Sequence, residues 1–271
     1  MTHDIPLILA IVFYMTAAGL LYNSIRHRSS GWRRLSLGFA IAGVLFHTGV
    51  QMNHWFWGEQ MDVSLPHLMS LCALVIMLLL ITSAFTRSTL YDAGLVALPI
   101  AVAVLLLEWV LPHDVIPLKE VSAGIAVHVI SSVTAFGVLS IAGVYALFVA
   151  FIDHFLRRHH LNPLVRTLPA LEVMEHLLFK LIPVGFALLT ISLLSGIVFI
   201  DDIFAQHLVH KTILSILAWL IFGLLLWGRW RYGWRGRLAV RLTLVGIVLL
   251  ILSYFGSKLV LEVFLGKSWQ S

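Results

Sequence analysis

Eight stretches of the chain run for about twenty residues each with hardly a charge inside them. They lie at roughly 5–24, 35–54, 66–85, 92–111, 122–151, 178–200, 208–228 and 238–263. A helix needs about 20 mostly apolar residues to cross a bilayer, so each run is expected to be a membrane-spanning α-helix. The runs are continuous and do not alternate, which excludes a membrane β-barrel. The fifth is longer than a bilayer requires and is expected to tilt or to project beyond it. The longest connection, 152–177, carries Pro163 and Pro169. After Pro169 the residues Leu171, Met174, Leu178 and Leu181 recur at helical spacing. That spacing predicts a short amphipathic helix at the inner membrane interface. The connections leave no room for a second soluble domain, so residues 1–271 are expected to form one integral membrane domain of the all-α class: a polytopic bundle of eight transmembrane helices.

Composition strengthens this picture. Of the 271 residues, 60% are hydrophobic and 11% charged, against roughly 25% charged in an average soluble domain. The mean hydropathy is +0.98. Too few charges exist to cover a soluble surface, and a disulfide scaffold is excluded by the single Cys72. The isoelectric point near 9.6 would suit a nucleic-acid partner, but the basic residues fall in a topological pattern instead. Arg26, Arg28, Arg33, Arg34, Arg87, Arg157, Arg158, Arg166, Lys180, Arg229, Arg231, Arg235, Arg237 and Arg241 gather on one side of the spans, and Lys119, Lys211, Lys258 and Lys267 lie on the other. Basic residues in short loops mark the cytoplasmic side, so both termini are expected outside.

Ionisable side chains within a span are costly and by default suggest function. No Asp or Glu lies near the middle of any run, and the chain instead carries 13 histidines. His47 is about 12 residues into the second run, or about 18 Å at ~1.5 Å per residue. His128 is about six residues into the fifth, or about 9 Å. His207 and His210 open the seventh run and, three residues apart, share a helical face. All four are expected toward the outer side, with His54 and His67 at its mouth. A neutral imidazole is a good ligand for haem iron or a transition metal, and imidazoles from facing helices are a usual way to hold a haem. His128 with His207 or His210 is the candidate iron-binding set, and His47 a further candidate. The alternative is that each histidine bonds a neighbouring helix through a serine or a backbone carbonyl. Lys258 could bind a haem propionate, snorkel to the interface, or pair with Glu262. Ser192 with Gly196, and Ser253 with Ser257, are small-residue pairs that let helices approach. The Arg/Trp turn around Trp230 and Trp234 suits anchoring at an anionic lipid surface.

These residues resemble a known family. The segment from Gly185 to Gly196 (Gly-Phe-Ala-Leu-Leu-Thr-Ile-Ser-Leu-Leu-Ser-Gly) looks like the glycine-flanked span of the cytochrome c assembly proteins that handle haem, the CcsA/CcmC type. Ala126-Val-His128-Val, followed by a long Ser/Ala/Gly-rich helix, resembles the span that carries an external haem-ligating histidine. Trp234-Arg-Gly-Arg237 and Ser253-Tyr-Phe-Gly256 resemble the last cytoplasmic turn and last span. The likeness covers roughly 120–260 as a cytochrome c assembly-like core. The tryptophan-rich segment of the larger members is absent between Phe199 and Lys211, and Val263-Phe-Leu-Gly266 stands where their second external histidine is expected. The chain therefore resembles the compact, HemX-like branch without that segment. The resemblance implies a bacterial inner-membrane protein that binds haem, non-covalently and of b type, with other cytochrome c assembly proteins as partners. His207 or His210 could supply the substitute second ligand, which follows from their place at the start of the seventh run and is not carried over from the family.

Three other readings are open. One is a transporter or efflux factor for a divalent cation, though hard cations want oxygen ligands that the spans lack. Another is a b-type redox protein working with quinone. The last is a regulatory membrane scaffold. An enzyme is not expected: no catalytic acid–base pair is evident, and there is no Gly-x-Ser-x-Gly, Walker or His-Glu-x-x-His sequence.

Overall fold

Long apolar stretches without water must satisfy their backbone groups internally, and helices do so within one segment. The computed structural model describes residues 4–56, 61–62, 64–86, 88–110, 117–118, 123–157, 170–199 and 209–256. Among the described residues, eight α-helices follow one another: α1 Asp4–His27, α2 Ser30–Phe56, α3 Leu65–Thr86, α4 Gly94–Val110, α5 Ala123–Arg157, α6 Leu171–Phe199, α7 Val209–Tyr232 and α8 Arg237–Ile251. A 3-10 helix, Ser88–Ala93, leads into α4, and a π turn, Leu252–Gly256, closes α8. The one extended feature among the described residues is a two-residue antiparallel pairing, β1 (Met61–Asp62) with β2 (Pro117–Leu118), in register Met61 to Leu118. All eight helical segments are long and apolar enough to cross a membrane, so the all-α, eight-span reading holds.

Helix ends differ from the apolar runs. α1 continues through Arg26 and His27, and α2 begins at Ser30, because a helix once formed propagates through polar residues at little cost. The turn between them is two residues. Arg28 takes a left-handed φ of 49°, and Ser24 and Ser29 bond each other across it, Ser29 N–H to Ser24 O at 3.1 Å and Ser24 Oγ to Ser29 O at 3.0 Å. α5 has 35 residues, as its long run implied.

The expectation of a separate interfacial helix after Pro169 is overturned. Residues 171–199 form one helix with Pro183 inside it. The buried positions explain why: Met174, Leu178, Ile182, Gly185, Leu189, Ser192 and Gly196 recur every three or four residues without a break. One proline removes a single backbone donor, and a stripe buried along its whole length outweighs that loss.

The chain divides into two compact units, Met1–Glu120 with Ile152–Leu171, and Val121–Phe151 with Glu172–Ser271. In the first, α1 packs against α2 and α4, and α3 against α4 and α2. Tyr14, Leu21, Met77, Leu80, Leu98 and Leu105 are fully enclosed there. The α1–α2 approach depends on Gly43, where an added Cβ would stand 2.5 Å from the Tyr14 ring. In the second unit, α6 lies against α5 where Gly185 meets Leu139, and a Cβ there would come within 2.5 Å of Leu139. α7 packs on α8, and Ser253 Oγ donates to the Lys211 carbonyl at 2.9 Å. The large apolar side chains that remain exposed, such as Phe85, Leu45 and Ile130, suit contact with lipid.

Candidate functional site

His128 sits in the second turn of α5, half-buried, in the second unit. Its Nδ1 is 2.8 Å from the backbone carbonyl oxygen of Ser192 on α6. A carbonyl only accepts, so Nδ1 carries the hydrogen, and in the neutral ring the lone pair is on Nε2. Among the described residues, no hydrogen-bond partner falls to Nε2. Ser192 O also accepts from Ser195 Oγ at 2.9 Å. One turn before His128, Gly124 lies against the ring of Phe199, leaving no room for a Cβ. Thus the residues around His128 are a fixed imidazole, a small-residue contact and an aromatic ring. Farther along α6, Trp219 Nε1 donates to Thr190 Oγ1 at 2.9 Å, and the Trp219 ring stacks on Phe186 with centroids 5.5 Å apart.

His210 is exposed in the first turn of α7, in the same unit as His128. His207 and Lys258 lie outside the described residues. His47 belongs to the first unit and is fully buried. Both of its ring nitrogens are engaged: Nδ1 with Tyr14 Oη at 3.2 Å and Nε2 with Ser70 Oγ at 2.9 Å. An iron atom on His47 would have to displace one of them. Among the described residues, no three of His, Cys, Asp and Glu converge as a metal-binding group.

Sequence reasoning passed over the rest of this network. Gln51, one turn after His47, donates from Nε2 to Ser70 Oγ at 2.9 Å. His67, expected at the outer mouth, is buried and meets Glu108 through Nδ1 and Oε1 at 3.2 Å. Each helix of α1–α4 thereby contributes at least one polar side chain to the interior of the first unit. The available signal was spacing: His47 with Gln51, and His67 with Ser70, are four and three residues apart, hence on one face.

The Arg/Trp turn, expected to suit a lipid surface, is packed into the second unit. Gly233 and Gly236 take left-handed φ values of 67° and 62°, which side chains rarely adopt. Trp234 packs on Gly228. Arg229 Nη1 donates to Trp234 O at 3.2 Å, and its guanidinium carbon stands 4.3 Å above the centroid of the Phe179 ring. Glu175 Oε1 receives the Gly236 N–H at 2.9 Å, tying the turn to α6.

A family model described as Cytochrome C assembly protein matches residues 61–265. The chain belongs to the cytochrome c assembly family. The match takes in His67, Glu108, His128, Ser192, His207, His210 and Lys258, and begins after His47. It also reaches back beyond residue 120, where the sequence likeness began. Among relatives, the inner membrane protein YpjD of Escherichia coli strain K12 is 31% identical over 259 residues, covering 93% of this chain and 96% of the relative. An uncharacterized 28.8 kDa protein from the nifR3-like 5′ region of Azospirillum brasilense is 30% identical over 240 residues, 87% of this chain and 86% of the relative. The cytochrome c biogenesis protein CcsA of Gloeobacter violaceus is 28% identical over 102 residues, 37% of this chain and 30% of that protein. No solved structure matches.

Proposed function

We propose that this chain is a haem-binding protein of the bacterial inner membrane that serves cytochrome c assembly, and that His128 Nε2 is its iron-binding atom. Membership of the cytochrome c assembly family supports the biological role, and the inner-membrane relative of near-equal length supports the location. The observation that carries the haem assignment is the 2.8 Å hydrogen bond from His128 Nδ1 to the Ser192 carbonyl. A metal-binding histidine almost always gives its other ring N–H to a carbonyl, carboxylate or water, which fixes the tautomer and raises the basicity of the ligating nitrogen. The residues present fit the group: an oriented imidazole, with the Phe199 ring one turn away to cover an apolar macrocycle. A bound haem would supply an iron centre and two carboxylates. His128 would hold the iron, with His210 or His207 as a second nitrogen donor, and Lys258 would receive a propionate. The basic loops place this end of α5 toward the outer face, with both termini outside. The chain works as a carrier or scaffold and not as a catalyst.

Detergent-purified protein titrated with haem should develop a Soret band that His128→Ala abolishes. A band of equal strength in that variant would remove His128 from the assignment. Fold integrity of the variant is checked by its circular dichroism.

A further inference from the structure

The first unit has a cavity that the haem assignment does not use. It holds about 730 Å³ and lies where α1 ends, α2 begins, and the 3-10 helix follows α3. Three guanidinium-bearing residues line it, Arg28, Arg33 and Arg34, against one acid, Asp92. Asp92 is buried and forms an ion pair with Arg33. That pair spans 59 residues of sequence and fixes the Arg33 guanidinium at the cavity wall. Arg34 is exposed, and among the described residues it forms no ion pair. The wall also includes Ser30, the first residue of α2. The opening backbone N–H groups of a helix have no intrahelical acceptor, and the positive end of the helix dipole favours an anion. The remainder of the lining is partly apolar, with Ile25, Leu37 and Ala84.

We propose that this cavity is a binding site for a phosphate group, with Arg28 and Arg34 as its principal partners and the start of α2 behind them. The charge balance of the lining selects an anion. Arginine matches phosphate with paired N–H donors. The apolar wall beside the charges suits a phosphate borne on an acyl chain, as in an anionic phospholipid headgroup, and basic pockets between membrane helices bind such headgroups. A soluble phosphate would use the same arginines without needing the apolar wall. This site stands apart from the haem reading, and neither depends on the other.

The test uses the full-length protein in detergent, with three probes: phosphatidylglycerol, phosphatidylcholine and inorganic phosphate. Native mass spectrometry counts retained lipid, and isothermal titration measures phosphate. The wild type is expected to retain phosphatidylglycerol over phosphatidylcholine. The double variant Arg28→Gln/Arg34→Gln, which leaves the Arg33–Asp92 pair intact, should weaken that binding about 30-fold, about fivefold for each guanidinium removed. A second variant, Ala84→Phe, fills the cavity without changing charge and should also displace the lipid. Binding of inorganic phosphate with no lipid preference supports the site and assigns it to a soluble phosphate. The proposal fails if neither probe binds, or if both variants, shown folded by circular dichroism, retain phosphatidylglycerol like the wild type.

Discussion

His47 and His128 stand in apolar helices of one chain, and the protein holds their rings in different ways. His47 is enclosed among α1, α2 and α3, with Tyr14 on one nitrogen and Ser70 on the other. His128 is half-exposed, and its bond goes to a backbone carbonyl through Nδ1 alone. A buried imidazole with both nitrogens satisfied joins helices, because every polar group it presents to the interior is paired. An imidazole tied by one nitrogen is oriented but retains a donor atom for a ligand. A histidine count and its depth in a span do not separate these roles; the second nitrogen does.

The strongest way to break this comparison is to remove each ring in turn. His128→Ala should lower haem affinity by at least about 100-fold, since losing even a supporting contact of a metal ligand costs 10- to 100-fold. His47→Ala should leave haem affinity within about threefold and instead lower stability by about 2 kcal/mol, because Tyr14 and Ser70 lose their partner and a cavity opens between packed helices. Soret titration reads the first effect and thermal unfolding in detergent the second. If the two variants exchanged outcomes, the first unit would hold the haem.

A subtler change sharpens the contrast within the first unit. Ser70 Oγ is shared by His47 Nε2 and Gln51 Nε2. Ser70→Ala strips both of a buried partner, so it should cost about 1–2 kcal/mol of thermal stability. Haem binding should not change. A Ser70→Ala protein as stable as the wild type would mean that this network contributes nothing to holding α2 and α3 together.

How much of this was legible in the sequence depends on the range of the interaction concerned. The spans could be read because hydropathy is a local property, and α3, α4 and α7 start and stop close to their apolar runs. The joining of the helical segment from Leu171 to the sixth apolar run could not, because Glu172, Glu175 and His176 read as the polar face of an interfacial helix until the buried stripe running unbroken through both segments is known. His128 was legible as a residue, yet its orientation was not, since the acceptor is a main-chain atom 64 residues away. His67 with Glu108, and Arg33 with Asp92, join positions 41 and 59 residues apart. No local pattern announces such pairs, and burial of the acids becomes acceptable only once their partners are in place. The same-face spacing of His47 with Gln51 and of His67 with Ser70 was the one local hint of a polar interior.

The smallest expected effect tests the contrast most closely. Ser70 acts through its side chain, whereas Ser192 meets His128 through its carbonyl, which every residue type supplies. Ser192→Ala keeps that acceptor, and its smaller side chain preserves the close packing of a position that is buried in α6. Haem affinity should therefore change by less than about twofold, and stability by no more than about 0.5 kcal/mol. The Soret titration and unfolding curves used for the other variants suffice to measure both. Should Ser192→Ala lose haem as fully as His128→Ala, the hydroxyl and not the backbone would be orienting the ring. The two histidines would then differ in exposure alone, and the reason for assigning the iron to His128 would have to be sought elsewhere on α5.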